Sequence, residues 1–336
     1  MMQKRDEVSP TNPGIFSPVM DLGSVRTEPM RSGGVMIWAF IGAAWTVFAL
    51  TGWTRWIFSD KFTPAPKGPD LIPTAHLMLI YGYQVFAVCM AITLITVYVI
   101  RPCVRNGRLS LDGMLFIGAL LAFYVDVVIN YFHEDTFGWN AYALNMGSWG
   151  SFFPGSVGSQ NYAEGLAWAL PDYMVFGPIS ALLGCWILVR LKRSFPKLST
   201  PAAFCIIFVI FYFALSFLEI VRIRFELYSY ARSYKALTLW AGSQYQWPFY
   251  EGILDALAAT PWIYVRWSWI TRGRSFVDAG IEQLNVSERV RRGILLFAVI
   301  GFCIVAYSFG WFIPWAVTSL GADSIAVLPS YMRPGP

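Results

Sequence analysis

The sequence predicts an all-α, polytopic membrane bundle of seven transmembrane helices, with the N-terminus inside and the C-terminus outside. Three observations carry this prediction. Of 336 residues, 56% are apolar and only 13% charged, whereas soluble domains carry about a quarter charged. Seven stretches approach the roughly 20 apolar residues a helix needs to cross about 30 Å of hydrocarbon. The basic residues also sort by side: with the N-terminus inside, 17 of the 25 Lys and Arg fall on inner segments and 8 on outer ones. That is the bias expected of cytoplasmic loops.

The spans are expected at 35–58, 76–100, 112–133, 173–191, 202–221, 249–267 and 293–317. The sixth is the weakest, because it contains Glu251, Asp255 and Pro261. An internal proline removes a helix hydrogen bond, although neighbouring helices in a bundle can compensate. Six spans is therefore the fallback count. Residues 1–33 mix Pro, Gly and both signs of charge without an apolar core, so they read as a mobile polar tail and not a signal peptide. The bundle is expected to occupy 34–320, followed by a C-terminal tail at 321–336. The connection 134–172 holds no Lys or Arg and contains the Gly/Trp/Phe-rich run 147–155. It reads as a lid over a cavity or as an aromatic turn at the lipid surface, with Trp149 inside it.

Composition excludes several chemistries. A net charge of +5, spread between apolar runs, marks topology and no nucleic-acid partner. Four of the five cysteines lie inside apolar stretches and Cys103 follows one, which reads as small buried hydrophobes with no metal role. Two histidines cannot build a His-rich di-iron site. No phosphate-binding loop, dinucleotide fingerprint, nucleophile elbow or internal repeat is present. No metal and no cofactor are expected.

The polar residues inside the spans point to function, because ionisable groups in a bilayer are costly and face a bundle interior or an aqueous cavity. Asp126, Asn130 and His133 are spaced i, i+4, i+7, which on an α-helix is one face. Glu219 and Arg222 are spaced i, i+3, and Glu251 and Asp255 i, i+4. Asp172 opens the fourth span, His76 the second, with Gln84 two turns further in. Given alternating spans, all of these fall in the outer half, while the inner halves look almost purely apolar. Such one-sidedness suits a cavity entered from one face rather than a continuous ion path. The candidate chemistry is acid–base work by carboxylates. A buried Asp126 donates a proton, a Glu219 held ionised by Arg222 accepts one or stabilises a cation, and the two can exchange roles. Asn130 belongs to the same set, and His133 would relay protons to water. Glu251, Asp255, Asp172, His76, Gln84 and Trp149 would line the substrate site. Span-end residues among these can equally be interfacial.

The length, the polar N-terminal tail, the seven spans, the segment Asp126-x3-Asn130-x2-His133-Glu134-Asp135 and the 147–155 loop together resemble the AveC-type spirocyclase family. Its members are bacterial multi-pass membrane proteins related to the avermectin spiroketal-forming enzyme. The resemblance implies closure of a dihydroxy-ketone into a spiroketal in the cell membrane, on a lipophilic polyketide- or isoprenoid-like small molecule. It carries over no catalytic residue. A transporter, or a non-catalytic membrane assembly subunit, is the alternative. The first predicts polar residues continuing to the inner face, and the second predicts that Asp126 and Glu219 are replaceable.

Overall fold

The computed structural model describes residues 34–156 and 162–333. The expected tail at 1–33 lies outside the described residues. Among the described residues seven long helices follow one another: α1 (Gly34–Ile57), α2 (Thr74–Asn106), α3 (Leu111–Asn130), α4 (Ala169–Ser194), α5 (Thr200–Arg224), α6 (Phe249–Arg272) and α7 (Glu288–Gly321). Each overlaps an expected span. All but α6 are long and apolar enough to cross a membrane. The exception, α6, carries Glu251, Asp255, Arg266 and Arg272, of which the first three are buried. Its polar face therefore turns inward, where α4, α5 and the end of α7 cover it.

Local chemistry sets the helix ends. Ser110, Ser199 and Ser287 each accept a backbone N–H from the first turn of α3, α5 and α7, satisfying donors that a helix start leaves free. Gly107 and Gly273 take positive φ (62° and 70°) to stop α2 and α6. Two helices contain a π-helical turn just before a proline: Thr96–Ile100 before Pro102 in α2, and Ser308–Phe312 before Pro314 in α7. A proline has no N–H to return to the carbonyl four residues back, so the winding loosens there. In α2 the carbonyl of Tyr98, left without that donor, faces the Ser110 hydroxyl at 3.4 Å.

The core is built around α3, most of which is buried, while only a minority of the residues of α1, α2 and α5 are buried. α1 lies along α7, α7 on α3, α3 on α4, and α6 between α4 and α5. Backbone meets backbone where α1 crosses α7. A Cβ built on Gly42 would lie 1.9 Å from the Phe297 carbonyl oxygen. Small residues at such a crossing let dispersion contacts replace the missing hydrophobic drive between helices in lipid. Gly42→Ala is expected to destabilise the bundle by about 1–3 kcal/mol or more, as overpacking does. Thermal unfolding in detergent checks this, and an unchanged melting temperature would contradict the close crossing.

Two features differ from the expected pattern. The last part of α3, Phe123–Asn130, is a 3₁₀-helix. With 3.0 residues per turn, i and i+4 fall about 120° apart, so Asp126 and Asn130 do not share a face, and His133 lies beyond the helix altogether. The end of the bundle expected to be the inner one is also not purely apolar. Asp112 at the start of α3 receives a two-pronged ion pair from the nearly buried Arg266 near the end of α6, at 2.8 and 3.2 Å.

A cap closes the other end. Its three antiparallel ladders pair β1 (Phe137–Trp139) with β2 (Tyr228–Tyr230), β3 (Arg232–Ser233) with β6 (Ser324–Ile325), and β4 (Thr238–Leu239) with β5 (Trp247–Pro248). The chain beyond α7, expected as a tail, supplies β6 and then buries Tyr331 and Met332. Asparagines satisfy the irregular backbone between these ladders. Asn130 accepts from Phe137 N–H at 2.8 Å and donates to its carbonyl at 3.3 Å, and Asn140 donates to the Glu226 carbonyl at 2.7 Å.

Candidate active site

Beneath the β1–β2 ladder lies a cavity of about 60 Å³. Its polar wall comes from three helices: Asp172 near the start of α4, Glu219 and Arg222 in the last turns of α5, and Asp255 on α6. The apolar wall is aromatic, with Trp139 and Tyr228 from the ladder, Trp168 and Tyr173 at the head of α4, and Tyr307 and Trp311 at the π turn of α7. Trp168 stacks on Tyr228 with centroids 5.4 Å apart.

Arg222 organises the charges. Its guanidinium pairs with Glu219 at 2.6 Å and Asp172 at 3.2 Å, and donates to the Tyr83 hydroxyl at 2.8 Å. Tyr83, on α2, in turn donates to Asp172 at 2.7 Å. Glu219 also accepts from the hydroxyls of Tyr228 and, at 2.7 Å, Tyr230. Alternate residues of a strand point the same way, which is how one short ladder delivers both phenols. Burial, reinforced by the Glu219 charge, pushes both tyrosines well above the usual phenol range, so they remain donors.

Asp255 lines the cavity and has no hydrogen-bonded side-chain partner among the described residues, and Glu251 one turn earlier accepts from Trp311 Nε1 at 2.9 Å. Among the described residues, the Arg222 guanidinium thus pairs with two of these four neighbouring carboxyl groups. Buried charges must be paired or neutralised, so the site holds exchangeable protons.

Asp126 is fully buried but does not line the cavity. Among the described residues its carboxyl makes no hydrogen bond of regular geometry, and Glu164 and Tyr173 stand beside it. Tyr173 therefore separates this acid pair from the cavity that its ring lines. Glu164 sits in the long connection, fully buried, and accepts from the Ser148 hydroxyl at 3.1 Å. Burial, with the Asp126 carboxyl adding to it, pushes Glu164 well above the usual carboxylate range. A carboxyl raised on folding stabilises the fold while protonated, and that contribution disappears as pH climbs through its folded pKa. Glu164→Gln is expected to flatten the loss of stability above the ordinary carboxylate range. Melting curves against pH test this, and identical profiles for both proteins above the ordinary carboxylate range would refute it.

Of the residues expected at the site, Glu219, Arg222, Asp172 and Asp255 meet at the cavity, with Glu251 directly behind. The others lie elsewhere. Asn130 staples β1 as described. His133 is partly exposed on the connection after α3, where its carbonyl accepts from Thr136. His76, in the first turn of α2, places its Nδ1 2.8 Å from a Glu226 carboxyl oxygen. Gln84 accepts the Leu144 N–H at 2.8 Å, and Trp149 is wholly buried and donates to the Tyr124 carbonyl at 3.0 Å. Tyr83, Tyr173, Tyr228, Tyr230 and Glu164 are additions. The Tyr-x-Tyr alternation at 228–230 is a strand signal in the sequence, and Glu164 is the one acid between Asp135 and Asp172. Among the described residues no group of three or more His, Cys, Asp or Glu is placed to hold a metal ion.

The chain matches the family model described as Spirocyclase AveC-like over residues 106–330. It belongs to the spirocyclase AveC-like family. No curated protein and no solved structure matches it. The matched range holds α3 to α7 and most of the cap, and with them the whole cavity lining. α1 and most of α2, whose Tyr83 reaches the site, precede it.

Proposed function

We propose that this AveC-like protein is an intramembrane cyclase that closes a lipophilic dihydroxy-ketone into a spiroketal by carboxylic-acid catalysis. The supporting observation is the convergence of Asp172, Glu219, Asp255 and Arg222 on one small aromatic cavity. The reaction requires a hydroxyl to add to the ketone, loss of the hemiketal hydroxyl as water, and capture of the resulting oxocarbenium ion by a second hydroxyl. Asp255, which has no hydrogen-bonded partner among the described residues, protonates the leaving hydroxyl. Glu219, fixed by Arg222, Tyr228 and Tyr230, faces the developing cation as the second carboxylate does in glycoside hydrolysis. The faces of Trp168, Trp311 and Tyr173 add cation–π stabilisation. The second hydroxyl gives up its proton as it closes the ring, which restores the acid, and one water leaves. The cap side of the bundle faces outward, as the distribution of basic residues indicates.

Purified protein in lipid nanodiscs, given a long-chain dihydroxy-ketone, is expected to accelerate spiroketal formation and to bias its stereoisomer ratio away from the uncatalysed mixture. A rate and ratio equal to the protein-free background would overturn the reading.

A further inference from the structure

The cavity is too small for a whole lipophilic substrate. About 60 Å³ accommodates only a few atoms at the reacting centre, since a single water already needs about 10–15 Å³. The remainder of such a molecule needs another place. A groove of about 640 Å³ runs along α2 next to the site. Tyr81, Val85, Val88 and Cys89 form one side, and the cap segment 141–145 with Ala167 forms the other. Tyr81, Val85 and Cys89 are exposed on a helix whose apolar surface is mostly uncovered.

Several backbone groups of the cap-side wall are satisfied by protein, as a loop at membrane depth would require. Gln84 accepts the Leu144 N–H at 2.8 Å, and the Leu144 carbonyl accepts from Leu166 N–H at 3.0 Å. Asn145 donates to the carbonyls of Ala141 and Ala143 and accepts from Ala65 N–H at 2.8 Å. Groove and cavity are neighbours in the chain on both sides. Ala167 lines the groove and Trp168 the cavity, while Tyr83, bonded to Asp172 and Arg222 inside, sits between the groove residues Tyr81 and Gln84.

We infer that this groove holds the hydrocarbon chain of the substrate, which enters sideways from the bilayer, with Tyr83 as the partition between chain site and reacting site. The inference rests on the cyclase reading and adds the substrate class: a ketone with one long, flexible apolar arm. A headgroup-first soluble substrate has no use for such a site.

The test is photolabelling of the full-length protein in nanodiscs with a long-chain dihydroxy-ketone carrying a diazirine at its chain end. Adducts are expected on residues 81–89 and 141–145, removed by excess unlabelled dihydroxy-ketone but not by a fatty alcohol of equal length. Val88→Trp, which fills the groove, is expected to cut them at least about tenfold. Val88→Ala is expected to keep them, which controls for folding. Glu219→Gln is expected to retain the adducts while losing turnover, so chain binding and catalysis fail separately. Equal competition by the fatty alcohol would make this a general lipid site and overturn the inference. Adducts spread evenly over lipid-facing helices, or unchanged in Val88→Trp, would do the same.

Discussion

Glu219→Gln is expected to lower conversion of a dihydroxy-ketone by about 10²–10⁴-fold, the usual cost of losing a positioned acid–base group, with protein level nearly unchanged. The substitution keeps an oxygen that can accept from Tyr230, and Arg222 keeps Asp172 as its counter-ion. What disappears is the negative charge facing the cation. Glu219→Asp retains that charge but draws it back by one methylene from Tyr228 and Tyr230, so partial activity with an altered isomer ratio is expected. Rate and isomer ratio measured together separate a chemical role from a packing role, because a packing defect would lower protein level in both variants. Full activity in Glu219→Gln would remove Glu219 from the mechanism.

The largest stability effect is expected at Arg222. Arg222→Met leaves Asp172 and Glu219 facing each other at the cavity with their shared cation gone, and breaking a buried pair from one side costs about 3–5 kcal/mol. The same principle predicts recovery. Replacing all three together, Arg222→Met with Asp172→Asn and Glu219→Gln, removes the uncompensated charge and restores most of the stability without restoring activity. Thermal unfolding in one detergent compares the three proteins. A single variant as stable as the parent would show that the ion cluster is not held by Arg222.

Much of the architecture was legible before any coordinates, for a physical reason. Lipid forces every spanning segment to declare itself as an apolar run, so seven helices could be placed, and α6 stood out as the doubtful span. Four cavity residues were legible on the same ground, because Asp172, Glu219, Arg222 and Asp255 are costly in a bilayer unless they meet. Asp126 drew attention by that rule too, yet it serves a second, buried acid pair behind Tyr173. Helical spacing misled at Asn130 and His133, because the segment winds as a 3₁₀-helix and the period it obeys is three. Tyr83 and Glu164 were not legible. Nothing in a local pattern indicates that a tyrosine on α2 reaches an arginine 139 residues away, or that a loop acid is wholly enclosed. The cap ladders are two or three residues long, too short for any periodic signal.

The placement of a cationic mimic decides the central claim most directly. A substrate-like amine, protonated where the oxocarbenium carbon would be, copies the charge of the intermediate and should bind more tightly than the neutral ketone. An experimental structure of that complex is expected to show the ammonium between Glu219 and Asp255, over the faces of Trp168 and Trp311. An ammonium seated away from these carboxyl groups, or no preference for the amine over the ketone, would contradict the assignment of this cavity as the reacting centre.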